Sequence, residues 1–90
     1  MPINSSEIFW RTVNDSLYAE IVFKDFKQAI SFINAIAVIA EEMDHHPQWS
    51  NCYNRVEIKL TTHSAGNKIT DKDRQMAAAI EELYLSHNQA

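Results

Sequence analysis

EEMDHHPQWSNCYNRVEIKLTTH, residues 41–63, joins the end of a helix to a hairpin through a proline. Pro47 has no N–H and disfavours α geometry at His46, so the helical pattern before it cannot continue. Beyond it, aromatic and polar residues alternate over positions 48–53, and Asn54-Arg55 reads as a tight turn. Val56, Ile58 and Leu60 then alternate strictly with Glu57, Lys59 and Thr61. A period of two buries one face of a strand and solvates the other. The stretch therefore predicts a hairpin with a single buried face, which some other element must cover.

That cover lies upstream. Asp25 followed by Gln28 reads as a capping box, and Phe26, Ala29, Ile30, Ile33, Ile36, Ala37, Ala40 and Met43 keep helical spacing. Phe32 and Ile39 widen this stripe beyond what one sheet covers, predicting a second contact with the last helix or another subunit. Further upstream, residues 8–13 are β-rich, Asn14-Asp15-Ser16 is turn chemistry, and residues 17–24 alternate again. Downstream, residues 63–69 are irregular. Thr70, with Asp71 and Asp73 in the first turn, then caps a final helix whose stripe is Met76, Ala77, Ile80, Leu83 and Tyr84. This order predicts an α+β fold, a single domain over residues 1–90 with a four-stranded antiparallel sheet and the helices packed on one face. Residues 1–6 and 86–90 read as loose ends.

Composition narrows the chemistry. Ninety residues leave no room for a second core, and 46% apolar content is too high for a disordered chain. A single glycine, Gly66, excludes the glycine-rich phosphate loops. Twelve acidic against eight basic residues, with no Lys/Arg cluster, argue against direct nucleic-acid binding. One cysteine, Cys52, cannot form an intrachain disulfide and fits a reducing compartment; its expected place is as a small buried hydrophobe. The longest apolar run, residues 35–40, cannot span a bilayer, and the start lacks the features of a secretory signal. A soluble, cytoplasmic protein is expected.

The histidines stand out. His45 and His46 fall at the helix exit and His63 at the strand exit, whereas His87 lies near the C-terminus, where a solvated or capping role suffices. Imidazole titrates near neutrality and can give or take a proton. A helix dipole explains one histidine at a C-terminus better than two. If the hairpin folds back under the helix, His63 comes beside His45 and His46 at one water-poor pocket, with Glu41 one turn before His45. Glu41, His45, His46 and His63 could also supply a zinc site. However, adjacent residues point apart, and no His-x-His or HExxH spacing is present. Trp10, Trp49 and Tyr53 suit either a core or an apolar wall for a flat ligand.

The combination of Glu41, His45-His46-Pro47, Trp49, Tyr53-Asn54, Val56, Ile58, Leu60 and Thr62-His63 resembles the signature of the pterin-4a-carbinolamine dehydratases, also called 4a-hydroxytetrahydrobiopterin dehydratases. The resemblance extends upstream through residues 23–26, Ala29 and Phe32, and downstream through Asp73 and Ala77. It implies the sheet-and-helix fold read above, assembled into homodimers or homotetramers. It also implies dehydration of a 4a-hydroxytetrahydropterin, made by aromatic amino acid hydroxylases, with neither metal nor organic cofactor. Carried over, His45 and His63 would be general acids, and His46 would orient the pterin and share the base role. Asp44, Thr61, Thr62 and Ser64 would line the substrate, and Glu41, Pro47 and Trp49 would support the site. The chain departs from the family in starting almost at its first strand and in a longer loop over residues 64–70 that lacks an acid after His63. Some relatives instead bind the dimerisation segment of a transcription factor, so a non-catalytic dimerisation module is the alternative.

Overall fold

The computed structural model describes Ile8 and residues 10–87, with the backbone alone at His87. Residues 1–7, Phe9, residues 88–90 and the His87 side chain, with the readings made of them, lie outside the described residues. Four strands, β1 (Arg11–Val13), β2 (Ser16–Val22), β3 (Gln48–Cys52) and β4 (Arg55–Leu60), form one antiparallel sheet in the order β1-β2-β4-β3. Two helices, α1 (Phe26–Met43) and α2 (Asp71–His87), complete the α+β fold.

Register fixes the two faces. β2 pairs β4 so that Ala19 lies opposite Ile58 and Ile21 opposite Val56; all four side chains are buried beneath the helices. Their strand neighbours Tyr18, Glu20, Glu57 and Lys59 point to the helix-free face. β3 pairs β4 with Trp49 opposite Ile58, which turns Gln48, Ser50 and Cys52 to the open side. Cys52 is accordingly exposed rather than buried. The hairpin turn sits at Tyr53-Asn54, one residue earlier than expected, with Tyr53 in the left-handed region at φ 54°. The first hairpin turns at Asn14 and Asp15, both with positive φ, which matches the twist of a two-residue connection.

The capping box at α1 is present: Asp25 Oδ1 accepts from the Gln28 N–H at 2.9 Å. Gln28 Oε1 reaches back one residue further than usual, to the Lys24 N–H. Ala29, Phe32, Ile36 and Ala40 form the buried stripe of α1, whereas Phe26 is 49% exposed and lies outside the core. The expected second contact is with α2. Phe23, Phe32 and Tyr84 bring the end of β2, α1 and α2 together, with ring centroids 5.0 to 6.1 Å apart. Among the described residues, no helix is long and apolar enough to cross a membrane.

Candidate active site

The end of α1 decides where the histidines go. Asp44 takes a left-handed conformation, φ 52° and ψ 44°, its N–H bonding to the Ala40 and Glu41 carbonyls. The His45 N–H returns to the Ala40 carbonyl at 3.1 Å. These 6→1 and 5→2 bonds make a Schellman turn, which folds the residue after the left-handed position back against the last turn of the helix. His45 holds that place and is 8% exposed. The helix thus ends before Pro47 acts, and the next residue, His46, faces solvent.

His45 meets the start of α2. Its Nε2 lies 2.6 Å from Asp73 Oδ1, and Asp73 is fully buried. The other oxygen, Oδ2, accepts from Thr62 Oγ1 at 2.7 Å and from the Thr70 N–H at 2.9 Å. Thr70 also accepts from the Lys72 N–H at 3.3 Å, so Thr70 and Asp73 form a capping box at α2. Burial pushes the Asp73 carboxyl up. The hydrogen bonds from His45, Thr70 and Thr62 outweigh that and hold it below the ordinary carboxylate range. A buried anion is therefore held by three donors, one of them an imidazole.

The remaining predicted residues surround this pair unequally. His46 Nε2 lies 3.0 Å from Glu41 Oε2, both side chains well exposed. His63 opens a 3₁₀ turn (His63–Ala65) directly after Thr62, with Nδ1 3.1 Å from Asn67 Oδ1, and is exposed like Ser64. The fold brings the three histidine-bearing segments to one end of the sheet. The enclosed, water-poor pocket expected between them is not what the structure has, because two of the three imidazoles face solvent.

Thr62 also takes a different place from the one expected. It is buried, its hydroxyl serves Asp73 and Thr70, its N–H bonds to the Lys68 carbonyl, and its own carbonyl accepts from Ala65 and Asn67. It stands behind the site rather than lining it. The Thr61 hydroxyl donates to the Asp15 carbonyl at 3.3 Å, on the other side of the strand. Asp44 is exposed at the turn, Pro47 is half-buried, and Trp49 is half-buried on the helix side of β3.

A pocket of about 310 Å³ lies elsewhere, on the helix-free face among Val13, Tyr18, Gln48, Glu57 and Lys59, with Trp49 at its wall and no histidine. The candidate site is placed instead at the histidine end, whose side chains are of the kind able to give and take protons. Among the described residues no three His, Cys, Asp or Glu side chains gather as metal ligands; His45 lies against Asp73 and His46 against Glu41.

Asp73 and Thr70 are the site residues that spacing alone did not single out. The available signal was Thr70-x-x-Asp73, read only as a helix start.

A family model described as pterin 4 alpha carbinolamine dehydratase matches residues 4–83. A protein of Solibacter usitatus (strain Ellin6076) named "Putative pterin-4-alpha-carbinolamine dehydratase" is 50% identical over 74 residues, 82% of this chain and 77% of that relative. The pterin-4-alpha-carbinolamine dehydratase of Drosophila melanogaster is 43% identical over 67 residues, 74% of this chain and 34% of that longer protein. Among solved structures, a transcriptional coactivator/pterin dehydratase from Brucella Melitensis has a TM-score of 0.79 at 39% identity, covering 83% of this chain and 81% of that one.

Proposed function

Because this chain belongs to the pterin-4-alpha-carbinolamine dehydratase family, we propose that it removes water from a 4a-hydroxytetrahydropterin to give the quinonoid dihydropterin. Its substrate is then the product of aromatic amino acid hydroxylases, whose cofactor the reaction recycles. The C4a hydroxyl leaves as water only once protonated, and N5 must lose its proton as the C4a=N5 bond forms. Both events are proton transfers, so neither a metal nor an organic cofactor is needed.

The observation that carries this reading is the 2.6 Å contact of His45 with buried Asp73, at the same end of the sheet as two solvent-facing imidazoles. A carboxylate at that distance holds the imidazole in one orientation while the ring passes a proton to the substrate. In this mechanism His45 and His63 act as general acids on the hydroxyl, one for each C4a stereoisomer. His46, steadied by Glu41, orients the pterin and shares the base role. Asp44, Thr61 backbone and Ser64 line the substrate, and Pro47 and Trp49 support the site. We place the enzyme in the cytoplasm as a homodimer or homotetramer serving a hydroxylase.

A coupled hydroxylase assay tests the reading. The protein should accelerate dehydration of the carbinolamine, and His45→Ala or His63→Ala should slow it about 10²-fold or more for the relevant isomer. Equal rates for the wild type and a His45/His46/His63 triple alanine variant would reject the assignment. A second reading, a protein-binding module, draws on the coactivator role in the name of the Brucella relative and on exposed Phe26 and Val38 of α1. It gains ground if the triple variant is as active as the wild type.

A further inference from the structure

We infer that Thr62 and Thr70 are positioning residues for His45: their hydroxyls form a donor chain ending on Asp73, which fixes the ring proton on Nε2 and leaves Nδ1 as the reacting atom. The reacting-atom part rests on the dehydratase reading; the tautomer stands without it.

An ionised carboxylate only accepts hydrogen bonds, so each group around Asp73 must donate. The His45 Nε2–H therefore points at Oδ1, since the other tautomer would set two lone pairs against each other at 2.6 Å. Thr62 has one hydroxyl proton and uses it on Oδ2 at 2.7 Å. At the 2.7 Å contact between the two threonines, Thr70 is then the donor. Thr70 Oγ1 in turn accepts from the Lys72 N–H. The chain runs one way, from the backbone of α2 through two hydroxyls to the carboxylate. His45 Nδ1 has no partner among the described residues and is not sealed from solvent, unlike Trp10 Nε1. It is the open atom of the ring.

The proton balance follows. A doubly protonated His45 gives its Nδ1 proton to the C4a hydroxyl, the C–O bond breaks, and water leaves. The proton on N5 passes to His46 or solvent, and the ring returns to its Nε2–H form, still bonded to Asp73. Thr62 and Thr70 exchange no proton; they hold the carboxylate that holds the ring.

The test is a two-bond ¹H–¹⁵N spectrum of histidine-labelled protein, recorded at rising pH until the His45 ring carries one proton. The expected spectrum has Nε2 protonated and Nδ1 bare; Nδ1–H in the wild type would overturn the inference. Thr62→Val should mix the tautomers and lower kcat about 10-fold with KM within about twofold, by analogy with the outer partners that orient metal-ligating histidines. Thr70→Val should do the same to a smaller extent, and Thr70→Ser should restore both readouts. Wild-type spectra and kcat in both valine variants would also overturn it. Should Thr62→Val fail to fold, the wild-type spectrum and the Thr70 pair still decide. An inactive wild type with bare Nδ1 defeats the dehydratase reading alone, whereas an active one with Nδ1–H defeats this inference alone.

Discussion

Two carboxylates in this molecule have similar company in opposite surroundings. Asp73 sits in the first turn of α2, fully buried, taking bonds from His45, Thr62 and the Thr70 N–H. Glu57 sits on the helix-free face, taking 3.0 Å bonds from Ser50 and Tyr18. Both carboxyls are held below their ordinary range. At Glu57 the Ser50 and Tyr18 hydrogen bonds lead and burial, which opposes them, ranks behind, whereas at Asp73 burial is the largest influence and the donors must overcome it. Similar hydrogen-bond company therefore does not mean equal dependence. A bond to an anion that water still reaches, as at half-buried Glu57, replaces one that water would make, but a bond to a fully buried anion has no substitute.

The largest break in this contrast is Asp73→Ala, which should cost about 3 kcal/mol in chemical denaturation and depress dehydratase turnover with it, because three donors lose their acceptor together. The matching change on the open face, Glu57→Gln, should leave the denaturation midpoint where it is. Next in size are the hydroxyls. Thr62→Val should cost about 1 to 2 kcal/mol, while Ser50→Ala should be indistinguishable from wild type in the same titration.

A smaller effect comes with pH. The folded Asp73 value is lowered, so the stability it contributes is complete above the unfolded value of roughly 3.9 and is lost as pH falls through the folded one. The stability gap between wild type and Asp73→Asn should thus be level near neutrality and close on acidification. Smallest is the response to salt: about 1 M, where the screening length is roughly 3 Å, should leave that gap intact. A gap that vanished in salt would place Asp73 energetically at the surface.

Much of the fold was legible because local patterns agree with global packing. The Asp25–Gln28 box starts α1, and the Val56, Ile58, Leu60 alternation carries the buried face. The misses share a cause, which is that a single strand or helix turn does not reveal what faces it. Cys52 seemed core-like, but pairing Trp49 with Ile58 turns it outward. Phe26 fits the helical period, yet lies beyond the ground that α2 and the sheet cover. Asp73 looked like an acid answering a helix dipole, while its partner stands 28 positions away in the chain. His45 and His46 were indistinguishable as neighbours until the left-handed Asp44 separated them, one inward and one outward.

That 28-position span ties chemistry to cooperativity. The His45 ring follows directly on the end of α1 and Asp73 lies in the first turn of α2, so the two meet only when both helices have docked. Heating should therefore remove turnover and the far-ultraviolet signal along one superimposable curve, making activity itself a thermometer of the native population.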